Sequence, residues 1–146
     1  ALTGKQNLRV VAAAAGIPDS RVDEVLEMVE LKDAAGKRMK NYSLGMKQRL
    51  ALAGAILGDP EILILDEPAN GLDPAGIAWL RKFLRKLAEG GRTILVSSHQ
   101  LAEMQNTVDD VLIINKGKLI ASGSMKEVIG DGSLEDAFLA LTGGEL

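Results

Sequence analysis

The chain has 146 residues, 47% of them apolar, 25% charged and 3% aromatic, with a formal net charge of -3. That balance fits one domain with an aliphatic α/β core, and it excludes the broad basic field on which nucleic-acid binding depends. The absence of cysteine and the single histidine exclude a disulfide framework, a thiolate site and a multi-histidine zinc cluster, and no apolar run or leader pattern predicts a membrane span.

Thr3 and Gln6 have the form of a capping box, and Leu8, Val11 and Ala12 follow at helical spacing, which predicts a first helix over residues 4–15. Gly16, Ile17 and Pro18 stop it. Pro18 and Asp19 open a second helix with apolar positions Val22, Val25, Leu26, Val29 and Leu31, interrupted at Ala34, Ala35 and Gly36. Ser43 is the N-cap of a third, in which Met46, Leu50, Ala53, Ile56 and Leu57 share a face before Gly58, Asp59 and Pro60 end it.

Residues 62–65 read as a fully buried strand. Asp73 and Pro74 cap and start a helix carrying Ile77, Leu80, Phe83, Leu84 and Leu87, which Gly90 and Gly91 terminate. Arg81, Lys82, Arg85 and Lys86 form its solvated face. Residues 93–96 are a second buried strand. A short helix over 100–105 precedes a hairpin, 111–115 and 118–121, that turns at Lys116 and Gly117. Ser124 with Glu127, and Ser133 with Asp136, start two closing helices. Buried strand, amphipathic helix and buried strand in alternation predict parallel pairing with an antiparallel hairpin at the end.

Chemistry concentrates at three places. The apolar run Ile62, Leu63, Ile64 and Leu65 ends in Asp66 and Glu67, which delivers two carboxylates to the carboxyl end of a strand, where open α/β sheets bind ligands. One carboxylate there can hold hydrated Mg²⁺ beside phosphates while the other polarises an attacking water; a solvated turn or cap is the plain alternative. Ser43 and Gly45 sit at a helix start, whose amides and dipole attract anions, or serve only as its cap. His99 follows the second strand on the same predicted sheet edge, and Asn70, Gly71, Leu72 and Asp73 form a turn and cap.

Order and spacing join these features: 23 positions separate Ser43 from Asp66 and 33 separate Asp66 from His99, room for a helix and for one crossover. At this point the sequence resembles the ATP-binding subunits of ABC transporters. Tyr42, Ser43, Leu44, Gly45 and Met46 look like the signature usually written LSGGQ, residues 62–66 like the Walker B strand, Glu67 like its catalytic glutamate, Asn70 to Asp73 like the D-loop and His99 like the switch histidine. The signature and the ending Leu134, Glu135, Asp136, Ala137 and Phe138 are most similar to the drug and antibiotic ABC-2-type exporter branch.

The resemblance implies part of a P-loop NTPase core with parallel strands: a helical signature subdomain over 1–58 and the C-terminal part of the ATPase core over 59–146. It implies ATP and Mg²⁺ as ligands, with Glu67 and His99 catalytic, Asp66 positioning the metal, and Ser43, Leu44, Gly45 and Met46 contacting ATP across a head-to-tail dimer to which Asp73 couples. Transmembrane permease subunits would be partners at the cytoplasmic face of the membrane, with no nucleic acid. Two departures stand out. No Gly-x-x-x-x-Gly-Lys-Ser/Thr loop occurs, so the expectation is a C-terminal fragment without hydrolysis of its own and with uncovered sheet edges and apolar faces. Leu44 replaces the first signature glycine. The rival readings are a soluble ABC protein of translation or DNA repair and a non-catalytic dimerisation module.

Overall fold

A computed structural model describes residues 1–143 and comprises two compact units, Ala1–Ser97 and Ser98–Leu146. In the first, α1 (Gly4–Ala15) starts with the predicted capping box: the Gln6 N–H donates to the Thr3 hydroxyl at 3.1 Å and the Thr3 N–H donates to the Gln6 side chain at 2.9 Å. Gly16 ends it in the left-handed region at φ 72°, where a residue without a β-carbon is least strained. α2 (Asp19–Met28) follows, then two short 3-10 turns, Lys32–Ala34 and Met39–Asn41, then α3 (Leu44–Ile56). Val11 departs from expectation. It is 45% exposed, because α1 buries only the narrow stripe of Gly4, Leu8 and Ala12.

These helices enclose a tight core in which Leu8, Ala12, Val22, Val25, Leu26 and Val29 are at most 1% exposed. α3 buries one broad arc made of Leu50, Leu52, Ala53 and Ile56, in which Leu52 and Ile56 are neighbours one turn apart. Arg21 caps its end, donating to Leu57 O at 3.1 Å and Ile56 O at 2.9 Å. Tyr42 anchors its start: the phenol donates to Ala34 O at 2.7 Å, and its ring occupies the space a β-carbon on Gly4 would need. Burial pushes the Tyr42 phenol above its ordinary value, which keeps it a neutral donor.

β1 (Ile62–Asp66) pairs in parallel with β2 (Thr93–Ser97), joined by α4 (Pro74–Glu89), in a register that sets Ile62 beside Thr93 and Asp66 beside Ser97. Parallel pairing matches the sequence reading; complete burial does not. Leu63 and Leu65 are buried, but Ile62, Ile64 and Leu95 are 64%, 73% and 50% exposed. Side chains alternate between the faces of a strand, and among the described residues of this unit only one face of the pair is packed against helices.

The second unit holds α5 (Leu101–Gln105), the hairpin of β3 (Asp110–Asn115) and β4 (Lys118–Ser124), and the helices α6 (Met125–Ile129) and α7 (Leu134–Thr142). The turn has φ 51° at Lys116 and φ 75° at Gly117, the two positive values that match a tight turn to the strand twist. Val111, Ile113 and Leu134 form its core with Met125, Ile129 and Phe138 packed against them, and Gln105 accepts from the Leu134 N–H at 3.0 Å. No helix among the described residues is long and apolar enough to cross a membrane.

Candidate functional site

The parallel register carries Asp66 and Glu67 to the carboxyl end of β1 and sets Ser97 opposite them. The Ser97 hydroxyl donates to Asp66 Oδ1 at 2.6 Å, short as expected for a bond to a carboxylate. It also accepts from the Glu67 N–H at 3.0 Å, and Ser97 O accepts from the same N–H at 3.2 Å. Glu67 has φ 46°, in the left-handed region that a residue with a β-carbon seldom occupies. From there the chain folds tightly, with the Asn70 N–H donating to Glu67 O and the Leu72 N–H to Ala69 O, both at 3.1 Å. Asp73 closes the loop by capping α4: its Oδ1 accepts from the Gly76 N–H at 2.7 Å.

The start of α3 lies on this loop. The Ser43 hydroxyl caps the helix by accepting from the Met46 N–H at 3.1 Å. Leu44 rests on Gly71: a β-carbon there would collide with Leu44 Cδ2 and lie 3.1 Å from its Cγ, and Gly71 has φ 79°. Both the space and the backbone therefore demand glycine. A β-carbon on Gly45 would be 3.6 Å from Leu72 Cδ2, an ordinary contact. One turn on, Gln48 Nε2 donates to Asn70 O at 2.9 Å. Arg49 lies 4.1 Å over the Trp79 ring, itself stacked on Phe83 at 5.0 Å, and donates to Val29 O at 3.3 Å and Glu30 Oε2 at 3.1 Å.

Ser43 to Met46, Asp66, Glu67 and Asn70 to Asp73 thus lie on connected elements of the first unit. His99 belongs to the second unit and is exposed; the neighbouring Ser98 hydroxyl accepts from the Gln100 N–H at 2.9 Å. Ser97, Gln48, Arg49 and Trp79 do not stand out in the sequence. The predicted parallel pairing, extended by one residue, would have set Ser97 beside Asp66.

The donors also bear on a metal. Among the described residues no group of three or more His, Cys, Asp or Glu gathers. Asp66, with one oxygen engaged by Ser97 and Glu67 next in the chain, fits an ion held by one carboxylate together with phosphates and water, as Mg²⁺ is, rather than an all-protein cage.

Comparison with known proteins finds relatives over most of the chain. The family described as "AAA domain, putative AbiEii toxin, Type IV TA system" matches residues 6–105. The chain is 48% identical over 128 residues to the ABC transporter ATP-binding protein YhcH of Bacillus subtilis strain 168, covering 86% of this chain and 42% of that protein. It is 46% identical over 129 residues to the bacitracin transport ATP-binding protein BcrA of Enterococcus faecalis, covering 87% and 42%. A solved ATP-binding subunit of an ABC transporter superposes with a TM-score of 0.83 at 28% identity, over 96% of this chain and 62% of that one. The chain thus spans about two-fifths of the length of these two curated relatives.

Proposed function

This chain belongs to the AAA-domain family and to the ATP-binding proteins of ABC transporters, and we propose that it is the signature-bearing and hydrolytic part of a subunit that binds and hydrolyses ATP to drive transport through membrane-spanning partners. The observation that carries this reading is the junction of two acids at the end of β1 with a loop on which the signature helix rests. Relatives named for transport favour it over the toxin in the family description, and over a role in translation or repair. A bacitracin transport protein among them supports the drug and antibiotic exporter branch.

In this reading residues 1–58 form the helical signature subdomain and residues 59–146 part of the ATPase core. Asp66 would hold Mg²⁺ beside the phosphates, where the ion would supply positive charge against the phosphoryl oxygens. Glu67 orients a water and takes its proton at the carboxylate. Ser43, Leu44, Gly45 and Met46 face the γ-phosphate of ATP held by a second nucleotide-binding subunit in a head-to-tail dimer, where the first-turn amides of α3 favour an anion. Asp73 couples the two sites and His99 holds the γ-phosphate. Permease subunits receive the motion of closure and opening at the cytoplasmic face of the membrane.

Because each site needs both partners, ATP should drive association. Light scattering of the full-length subunit carrying Glu67→Gln is expected to show a dimer in Mg-ATP and a monomer without nucleotide. The 146-residue chain alone, whose residues include no phosphate-cradling loop, is expected to turn over no ATP in the same buffer. A subunit that binds ATP and stays monomeric would exclude the shared-site mechanism.

A further inference from the structure

Ser97 carries more of the site than its place in the chain indicates. One hydroxyl serves two neighbours at once, as donor to the Asp66 carboxylate at 2.6 Å and as acceptor for the Glu67 N–H at 3.0 Å. Each bond defines the other, because a hydroxyl proton committed to a carboxylate leaves its lone pairs directed at the amide. Glu67 needs such a grip. Its left-handed backbone at φ 46° persists only where the surroundings over-determine it, and Ser97 supplies two acceptors for its N–H, the side-chain oxygen and the main-chain oxygen.

We propose that Ser97 is a positioning residue for hydrolysis, its hydroxyl fixing the Asp66 carboxylate and the Glu67 backbone in one geometry. This rests on the reading of Asp66 and Glu67 as the metal-holding and water-activating pair. Without the hydroxyl, the Asp66 carboxylate rotates about its own bonds and the Glu67 N–H loses its side-chain acceptor, so the left-handed turn relaxes and carries the Glu67 carboxylate away from the water. A displacement of that kind lowers kcat more than substrate binding, because the affected groups act in the transition state.

Threonine and valine separate the hydroxyl from its shape. Both are β-branched and suit a strand, they are nearly equal in size, and only threonine keeps the donor and acceptor. In the full-length subunit, Ser97→Val is expected to lower kcat by about tenfold or more and Ser97→Thr by less than about twofold, with KM for ATP little changed in both. Amide hydrogen exchange at Glu67, followed without nucleotide, is expected to accelerate in Ser97→Val and stay near the parent rate in Ser97→Thr.

Equal kcat in the two variants would overturn the proposal, and so would unaltered exchange at Glu67 in Ser97→Val. Should Glu67→Gln leave turnover unchanged, the assignment of the hydrolytic pair fails. The exchange readout then still decides whether Ser97 grips the turn.

Discussion

Val22, Val25 and Leu26 of α2 are at most 1% exposed, whereas Ile62 and Ile64 of β1 are 64% and 73% exposed, although all five are aliphatic side chains. A helix gathers its apolar residues into one stripe, and α1, α2 and α3 cover one another's stripes within a continuous length of chain. A strand in a parallel sheet has two apolar faces and needs a cover on each. Among the described residues of the first unit only one is provided. The helical region shares one core with Leu63 and Leu65 of β1 and with α4, and the second face of the strand pair has no cover among the described residues of the first unit.

The widest separation in stability is therefore between the two regions. Leu26→Ala is expected to cost about 2–5 kcal/mol in the 146-residue chain, and Ile64→Thr less than about 0.5 kcal/mol, by denaturant titration. Repeating Ile64→Thr in the full-length subunit sharpens the contrast: a cost there of about 2 kcal/mol or more would show that the face is buried in the longer protein. A large cost already in the isolated chain would mean that Ile64 is packed there.

A smaller effect is expected where the two regions meet. Gly71→Ala meets both the positive φ and Leu44, and should cost about 1–3 kcal/mol. Leu44→Gly removes the collision but not the backbone strain, so the double variant should recover part of the loss. Strict additivity in the double-mutant cycle would mean that Leu44 and Gly71 do not press on one another.

The smallest effect is expected inside the helical region. Tyr42→Phe loses the bond to Ala34 O and should cost about 1 kcal/mol. Because burial raises the phenol above its ordinary value of 10.0, its contribution is fully present below that value and is lost as the pH rises through the higher folded value. Parent and Tyr42→Phe stabilities should therefore converge in strong alkali, and an unchanged gap would contradict the role given to the phenol.

Much of the fold was legible because helix ends are written in short local codes. Thr3 with Gln6, Ser43 and Asp73 cap where capping chemistry predicts, and Gly16 ends α1 as its position implies. The 3-10 turns at Lys32–Ala34 and Met39–Asn41 were not legible, since three residues carry no periodicity. One-sided burial of β1 was not legible either, because an apolar run states what a strand can bury and not what is there to cover it.

The candidate site divides in the same way. Asp66, Glu67 and Ser43 stand in contiguous motifs and are legible directly. Ser97 and Gln48 act on residues 31 and 22 positions away, through a strand register and a helix seated on a loop that only the folded chain brings together.

ATP hydrolysis decides whether the acids at the end of β1 carry the chemistry. The full-length subunit and its Glu67→Gln and His99→Ala variants would be compared for ATP turnover and ATP binding at saturating Mg-ATP. Turnover is expected to fall by about a hundredfold or more in Glu67→Gln and also to drop sharply in His99→Ala, with binding retained in both. Unchanged turnover in Glu67→Gln would contradict this, and would mean that the acids at the end of β1 do not carry the chemistry.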